Sequence, residues 1–297
     1  WLRTRAGQCA VDGQMLRVVT GLVGSSVIIL GGDLLSKKLA GPGAANEGFP
    51  ERGERTAAAA SGSAPGRGGE GRLLVVYGAS GPTGIYLTKA ALAKGFKVRA
   101  FVRNPGKLEA GLKEHFRNES LEVVTGDLTN LAAVRAAVAG ASAVISVAGS
   151  KPESAPGPMA AAVPAMVEGC REHGVRKLLV QSGALSVAPG EHWGWFTPGN
   201  FVHATLKYRQ GFTTMDDNDQ VMRYLYEKAR DIDWVISRPP GILHGKRHGP
   251  LAPNVDPFKP HAIQYADLAD WTLAQVDSDA YVGKMPRLYY PPVMSKI

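Results

Sequence analysis

At 297 residues, 44% of them apolar and 20% charged, the chain is expected to form one globular domain with extensions, since single domains of up to about 250 residues are common. Its net charge of +8 is spread out, with nine Lys and Arg against six Asp and Glu in residues 1–72 and 25 against 20 afterwards, so nucleic-acid binding is not expected. Its two cysteines, Cys9 and Cys170, lie far apart without His or Cys partners at ligand spacing, which argues against a disulfide framework and a metal site.

The first predicted element is an apolar helix within an N-terminal extension, residues 1–40. An uncharged run covers residues 18–32 and is flanked by basic residues on both sides. It falls short of the roughly 20 residues needed to cross a bilayer, although snorkelling basic side chains lengthen an apolar span. Two interpretations stay open: residues 15–38 span a membrane, or they pack as a helix against a partner. Asp33 weighs against the first, because a carboxylate in lipid is costly.

Residues 41–71 contain few large apolar side chains and are rich in Gly, Ala and Pro. Such a segment cannot bury enough apolar surface to offset the entropy lost on ordering. We therefore predict a low-complexity linker that joins the extension to a domain over residues 72–297.

From residue 72 onward, short apolar runs rich in β-branched residues alternate with Ala-rich stretches of helical periodicity. The six runs are RLLVVYG, KVRAFVR, LEVVTGD, SAVISVAG, RKLLVQSG and DWVISRPP. Helices are predicted between them at residues 82–94, 131–139, 159–173 and 217–230. Strands that are apolar along their whole length belong to a parallel sheet covered on both faces. The predicted fold is α/β, a doubly wound parallel sheet of the Rossmann type.

A glycine-rich turn, GASGPTG, joins the first predicted strand to the first predicted helix. In Rossmann domains the first glycine permits the tight turn, the second lets the backbone approach the pyrophosphate, and the third lets the helix pack on the strand. Gly78, Gly81 and Gly84 supply these three glycines in GxxGxxG spacing. The spacing by itself is weak evidence, but its place at the head of a repeated strand and helix alternation makes it strong. This turn predicts a bound dinucleotide.

The residue that ends the second predicted strand selects the cofactor. NAD-binding domains usually carry Asp or Glu there to hold the ribose, whereas this chain has Arg103, with Lys107 close behind. A guanidinium pairs with a 2′-phosphate through charge-assisted hydrogen bonds. The expected cofactor is therefore NADP(H). The alternative for Arg103 is a solvated surface arginine.

The next two strand ends are expected to follow the same cofactor, because ligands bind outside the carboxyl ends of the strands. Asp127 and Leu128 follow the third strand and are predicted at the adenine edge. Residues from Val147 to Gly149 follow the fourth strand and are predicted to run along the cofactor. A second role for Asp127 is a helix N-cap.

Seven motifs carry a family resemblance: GASGPTG, VRNPGKL, VTGDLTN, AGASAVISVAG, HGVRKLLVQSGAL, MDDNDQVMRYL and WVISRPPGI. In this order they make residues 72–292 resemble the atypical short-chain dehydrogenase/reductases of the NmrA-like type, most closely the biliverdin reductase B and flavin reductase group. The resemblance does not extend to residues 1–71. It implies NADP contacts from Gly78, Ser80, Gly81, Thr83, Gly84, Arg103, Asp127 and Gly149, and Pro82 in the same turn completes the predicted set. It also implies that three residues pass beside the nicotinamide: Pro239, Pro240 and Ile242.

The same resemblance makes Ser182, after the fifth strand, the catalytic candidate. It implies that the Ser182 hydroxyl orients a substrate carbonyl or a flavin near the nicotinamide. The alternative is a strand-end hydroxyl that caps backbone groups.

Most of the superfamily uses a Tyr-x-x-x-Lys pair for proton transfer. Tyr224 and Lys228 have this spacing, but the family motif falls about two helical turns upstream, near Thr214 and Asn218. The pair is therefore not expected to be catalytic. The biliverdin reductase B group also lacks it, so its absence does not exclude a reductase.

Two further motifs stay outside this assignment. His244 and His248 in HGKRH are not expected to bind a metal, because a glycine lies between them and no acidic partner accompanies them. Trp193 and Trp195 either cover a substrate pocket or face a partner protein.

Two functions fit these observations. The preferred hypothesis is an accessory or assembly subunit of a membrane complex that keeps NADP(H) as a largely structural ligand, with other subunits contacting residues 1–71. It predicts that the protein is located at an organelle membrane, and it favours the mitochondrial inner membrane over the chloroplast thylakoid. The alternative is an NADPH-dependent oxidoreductase that reduces a flavin, tetrapyrrole or quinone-like small-molecule acceptor.

Overall fold

The computed structural model describes residues 8–11, 14–17, 21–23, 26–28, 69–149, 157–191, 214–254 and 262–291. The chain divides into two compact units, Trp1–Glu47 and Gly48–Ile297. The predicted linker, residues 41–71, lies outside the described residues except at its last three positions.

In the first unit, the described stretches are strands of two short antiparallel pairs. Gln8–Val11 pairs with Gln14–Arg17, and Gly21–Val23 pairs with Ser26–Ile28. The apolar helix stays a prediction, because only short stretches of this segment are described. Its other positions lie outside the described residues. Within the described part of the chain, no helix has the length and apolar character that a membrane span requires.

Six parallel strands form the central sheet of the second unit. They are β1 (Leu73–Tyr77), β2 (Lys97–Val102), β3 (Leu121–Thr125), β4 (Ala143–Ser146), β5 (Lys177–Gln181) and β6 (Asp233–Ser237). Their spatial order is β6-β5-β4-β1-β2-β3, and every neighbouring pair is parallel. All six predicted strands are confirmed. The order reverses between β1 and β4, which is where ligands bind in sheets of this kind.

Within the described residues, six α-helices accompany the sheet. They are α1 (Pro82–Ala93), α2 (Pro105–Leu112), α3 (Leu131–Ala136), α4 (Met159–Glu172), α5 (Thr214–Lys228) and α6 (Tyr265–Ala274). The four predicted helices are confirmed as α1, α3, α4 and α5. Helix α2 was not predicted because it is short and contains two glycines. Helix α6 was not predicted because it is buried around most of its circumference and has no clear amphipathic pattern.

The two faces of the sheet carry separate apolar layers. Along β1, Val75 and Tyr77 point into the layer formed with α3, α4 and α5. Leu74 and Val76 point into the opposite layer, formed with α1, α2 and α6. Successive side chains of a strand face opposite ways, so a strand covered on both sides must be apolar throughout, as β1 is. The doubly wound architecture is thereby confirmed.

In the described part of the chain, four short strands follow β6. They are β7 (Ile242–Leu243), β8 (Ala252–Asn254), β9 (Ile263–Gln264) and β10 (Arg287–Tyr289). Strand β7 pairs with β9 in parallel, and β8 pairs with β10 antiparallel. These pairs hold the segment that leaves β6 at the carboxyl edge of the sheet, the edge at which the six parallel strands end.

Candidate dinucleotide and substrate site

The turn between β1 and α1 lies against the loop that follows β4. Gly78 has a φ of +79°, in the left-handed region, and a Cβ at this position would stand 2.6 Å from the backbone N and Cα of Ala148. Both the backbone conformation and the lack of space require glycine here. The two loops that flank the topological switch point are therefore in direct contact.

The space available to a side chain differs between positions 84 and 81. A Cβ at Gly84 would stand 2.3 Å from the carbonyl oxygen of Gly78, so helix α1 sits on the turn only because residue 84 has no side chain. A Cβ at Gly81 would stand 3.2 Å from that oxygen, a distance that a small shift relieves. The packing of the protein thus requires glycine at residue 84 and restricts residue 81 less.

The start of helix α1 has the properties of an anion site. Its N-cap is Gly81, no side chain caps it, Pro82 is its first residue, and its first turn contains no acidic residue. The N–H groups of Thr83 and Gly84 have no backbone acceptor among the described residues, although both residues are buried. Unpaired amides and the positive end of the helix dipole favour a phosphate at this position. Half-buried Ser80 precedes this turn, and the whole arrangement fits the pyrophosphate of a dinucleotide.

Arg103 and Asp127 lie together at the ends of β2 and β3. The Nε of Arg103 is 3.8 Å from Oδ2 of Asp127, and the arginine side chain is 71% exposed. Oδ1 of Asp127 accepts hydrogen bonds from the Thr129 backbone N–H and hydroxyl at 2.9 and 2.7 Å. These bonds, with a smaller contribution from Arg103, hold the pKa of Asp127 below its ordinary value. An exposed guanidinium at this strand end is free to meet an incoming phosphate.

Asp127 is not a helix N-cap. The N-cap of α3 is Asn130, whose side chain accepts the Ala133 N–H. The reason is local, because the two-residue turn held by Asp127 and Thr129 delays the start of the helix. Lys107 also has a local partner, since its backbone N–H donates to the side chain of Asn104 at 3.2 Å, while the residue itself is exposed.

Of the other predicted cofactor residues, some pack in the apolar layers and one is exposed. Val147 is 9% exposed in the layer of α1, α2 and α6, and its N–H donates to Tyr77 at 3.0 Å. Leu128 packs against the opposite layer. Gly149 is exposed, and a Cβ there would meet nothing within 4 Å. Both the side chain and the N–H of Val147 are thus engaged within the protein.

Ser182 follows β5 at the carboxyl edge. Its backbone N–H donates to the carbonyl of Ser237 at 2.8 Å, which fixes the residue against the end of β6. The residue is 9% exposed, and its Oγ has no hydrogen-bond partner among the described residues. The hydroxyl therefore does not cap a backbone group there, contrary to the alternative that the sequence left open. The Ser182 hydroxyl therefore keeps its capacity to donate and to accept a hydrogen bond.

Pro239, Pro240 and Ile242 continue from β6 beside Ser182. The carbonyl of Pro239 accepts the Ala184 N–H at 2.9 Å, so the segments after β5 and β6 are held together. Pro239 is buried, and the other two are half-buried. Their position on the carboxyl edge is the one predicted for the nicotinamide side of the site.

A buried ion network secures the loop that carries Ser182, and the sequence analysis missed it. Glu191 contacts the guanidinium groups of both Arg238 and Arg287. Arg238 also donates to the carbonyls of Met285 and Ser186. Burial by itself would raise the pKa of Glu191, but the hydrogen bond and charge of Arg238 and the charge of Arg287 lower it overall. An arginine directly after the apolar strand DWVIS was the available signal, because a buried arginine requires a partner.

The Tyr224 and Lys228 pair lies away from this site. Arg171, near the C-terminal end of α4, donates to the Lys228 carbonyl at 2.7 Å and forms an ion pair with Asp231. Burial is the main cause of the raised pKa of Tyr224, which also interacts with Arg171. These contacts place the pair near the amino edge of the sheet, where β6 begins, which agrees with the expectation that it is not catalytic.

The two histidines of HGKRH make ring contacts. The ring of His244 is tilted against that of Tyr265, with 4.7 Å between ring centroids, and the ring of His248 is tilted against that of Tyr290, with 4.6 Å between centroids. Among the described residues, no group of three or more potential ligands could hold a metal ion. Trp193 and Trp195 lie outside the described residues.

Three solved structures share this architecture. The oxidoreductase ylbE from Lactococcus lactis has a TM-score of 0.60 at 18% identity, covering 74% of this chain and 91% of its own. A short-chain dehydrogenase/reductase from Veillonella parvula in complex with NADP has a TM-score of 0.57 at 15% identity, covering 74% and 95%. The anaerobillin reductase ChuY from Escherichia coli has a TM-score of 0.57 at 18% identity, covering 74% and 98%. At these identities the likeness concerns the fold.

The comparison at the level of sequence is more specific. No curated protein is similar enough to count as a match. A family model described as NAD(P)H-binding matches residues 78–279, which extends from the first glycine of the turn to the segment after α6. The resemblance inferred from the motifs is thus confirmed: the chain belongs to the NAD(P)H-binding family.

Proposed function

We propose that this protein is an NADPH-dependent oxidoreductase in which Ser182 binds the acceptor beside the nicotinamide. The observation that carries the proposal is the Ser182 hydroxyl, which is buried and has no hydrogen-bond partner among the described residues. Ser182 lies at the carboxyl edge of the sheet, along which a dinucleotide held at the turn between β1 and α1 would extend, so its hydroxyl would be available to an acceptor there.

The cofactor assignment to NADP(H) rests on the exposed guanidinium of Arg103 and on the uncapped start of α1. The helix start would hold the pyrophosphate, and Arg103 would pair with the 2′-phosphate, with exposed Lys107 nearby in sequence. Bound NADPH supplies a hydride. No acidic residue follows β2 directly to hold a free ribose hydroxyl, and Asp127 is already engaged by Thr129.

The chain's own residues would position and polarise the acceptor. The Ser182 O–H would donate to an acceptor oxygen or nitrogen on which negative charge develops, which is the kind of contact that stabilises a transition state. Pro239 and Ile242 would form the wall that excludes water on one side. The contacts of Ser182 with Ser237 and of Ala184 with Pro239 would hold this geometry before the acceptor arrives.

The test is anaerobic NADPH oxidation by the full chain with a flavin, a linear tetrapyrrole and a quinone as acceptors. Ser182→Ala is expected to lower kcat by roughly 100-fold, the effect of removing one preorganised donor, with unchanged NADPH affinity. Ser142→Ala is the matched control, because the Ser142 hydroxyl donates to the Leu73 carbonyl at the opposite edge of the sheet. The proposal is wrong if the unmodified protein oxidises NADPH with none of these acceptors, or if both serine variants behave alike.

The accessory-subunit hypothesis stays a prediction that rests on residues 1–71. It is favoured if the full chain purifies only within a larger membrane assembly, stays in the membrane fraction after carbonate washing and shows no turnover. It also predicts that Ser182→Ala leaves assembly unchanged while loss of the dinucleotide impairs assembly.

A further inference from the structure

The motif MDDNDQ at the start of α5 fixes that helix to two neighbouring segments. The carboxylate of Asp217, which is fully buried, accepts the backbone N–H groups of Met159 and Ala160 at 3.2 and 2.7 Å, at the start of α4. Asp219 accepts the Val187 N–H at 2.9 Å, in the loop after β5. Both contacts lie at the carboxyl edge of the sheet. The first turn of α5 is thereby held beside the loop that carries Ser182.

Asn218 lies between these two anchors and faces Gly183. Its Nδ2 is 3.7 Å from the point where a Cβ on Gly183 would stand, and the Ser186 Oγ is 3.9 Å from the same point. The Ser186 hydroxyl is 1% exposed and, like that of Ser182, has no partner among the described residues. The structure shows no hydrogen bond from the Asn218 amide to any described residue. The Asn218 amide and the Ser186 hydroxyl thus both lie near Gly183, and the hydroxyl of the preceding residue, Ser182, also has no partner among the described residues.

The charges around Asn218 restrict what these groups could bind. Asp216, Asp217 and Asp219 share its helical turn, so an anionic group placed at Asn218 would meet a negative field. The amide itself offers both a donor and an acceptor, and the hydroxyls do the same. The complementary ligand is a neutral edge that presents a carbonyl next to an N–H.

We propose that Asn218 binds the lactam or imide edge of the acceptor, so that the protein selects acceptors in which a C=O and an N–H adjoin the reducible ring system. This inference rests on the proposed function, because it assigns the acceptor to the space beside Ser182. It makes Asn218 a specificity-determining residue, with Ser186 as a second polar contact. Gly183 leaves the space open, since a side chain at residue 183 would lie between the amide and the hydroxyl.

The test compares lumiflavin with 3-methyllumiflavin, which have the same reducible ring and differ in one imide N–H. Binding of each flavin to the full chain is measured by fluorescence titration with saturating NADP⁺, and turnover is measured with NADPH. The unmodified protein is expected to bind lumiflavin about tenfold more tightly than its methyl derivative, the effect of one hydrogen bond. Asn218→Ala is expected to remove this preference by weakening lumiflavin binding, and Asn218→Asp is expected to weaken it further, because a carboxylate cannot donate to the imide carbonyl oxygens and repels them.

One control and one site-blocking variant distinguish a loss of binding from a loss of folding. Gln220→Ala changes an exposed residue of the same helix and is expected to keep the tenfold preference. Gly183→Ala places a methyl group in the gap at ordinary contact distances, so it is expected to retain the melting temperature while losing lumiflavin affinity. Together these variants distinguish a filled site from an unfolded protein.

The outcomes for the two proposals are distinct. Equal binding of both flavins by the unmodified protein, or retention of the preference by Asn218→Ala, overturns the role of Asn218 even if turnover is robust. A preference that Asn218→Ala abolishes, with no NADPH oxidation by any variant, supports the binding role of Asn218 and rejects the reductase.

Discussion

Arg238 and Glu191 form a bidentate ion pair that joins the end of β6 to the loop after β5. Nη2 of the arginine is 2.6 Å from Oε1 of the glutamate, and Nη1 is 2.7 Å from Oε2. The arginine is 3% exposed. Arg287 adds two more hydrogen bonds to the same carboxylate and one to the Ala184 carbonyl. The loop between Ser182 and Glu191 is therefore fixed near both of its ends by hydrogen bonds from these arginines.

Replacing Glu191 by Gln should destabilise the protein strongly. The substitution leaves two buried guanidinium groups facing a neutral amide, and breaking a buried ion pair in this way costs about 3–5 kcal/mol. The expected fall in Tm is on the order of 10 °C, measured by calorimetry. Glu227→Gln, an exposed residue on α5, is the control, and a similar Tm for the two variants would contradict the role of the network.

The same carboxylate predicts an acid-sensitive component of stability. The pKa of Glu191 in the folded protein lies below its ordinary 4.5, so its contribution is fully present above that value and is lost as the pH falls through the lower, folded-state pKa. The free energy of unfolding, measured with urea, should therefore fall more steeply below about pH 4.5 for the unmodified protein than for Glu191→Gln. Parallel pH profiles for the two proteins would show that Glu191 is not the group that titrates.

Asp217→Asn should weaken the attachment of α4 to α5. The carboxylate of Asp217 accepts two N–H groups at the start of α4, whose N-cap residue, Pro158, provides no side-chain acceptor. Removal of a charged cap costs about 1–2 kcal/mol, which chemical denaturation can resolve. The loss should be smaller than that for Asp217→Ala, because the amide of Asn retains one acceptor oxygen. Equal stability of the Asn variant and the unmodified protein would argue against a charge-dependent cap.

Gly81→Val should abolish dinucleotide binding while the protein still folds. The valine Cβ needs only a small shift from the Gly78 carbonyl, but its methyl groups would occupy the space at the start of α1. Saturating NADPH is expected to raise the Tm of the unmodified protein by mass action and to leave that of Gly81→Val unchanged. Ala136→Val is the control, because it adds the same side chain at an exposed position at the end of α3. Persistence of the NADPH-induced shift in Gly81→Val would reject the assignment of the pyrophosphate to this turn.

Arg103→Ala should reduce the preference for NADPH over NADH. Loss of one charge-assisted contact to the 2′-phosphate corresponds to roughly 1.5–3 kcal/mol, or about 10- to 100-fold in Kd, and NADH affinity should be unchanged. Isothermal titration with both nucleotides measures the effect, with Arg117→Ala as an exposed charge-matched control. Equal affinity of the unmodified protein for the two nucleotides would contradict the cofactor assignment.

The sequence by itself determined the layered fold and the dinucleotide turn. Apolar runs with turn residues between them indicate buried parallel strands, because a strand covered on both faces has no polar side to display. The glycines of the turn are equally local signals, since Gly78 has a backbone conformation that other residues avoid. Helix α6 escaped prediction because it is buried around most of its surface and shows no polar face.

Only the tertiary structure decided which polar groups belong together at the carboxyl edge. Glu191, Arg238 and Arg287 are far apart in sequence, and their pairing depends on how the loop after β5, the end of β6 and the start of β10 come together. Likewise, the sequence placed Asn218 at the position of a family lysine, but its approach to Gly183 follows from the two aspartate anchors of α5. Local sequence patterns indicate the burial and backbone conformation of single segments. A site assembled from several segments depends on the distances between those segments, which the sequence of any one of them does not determine.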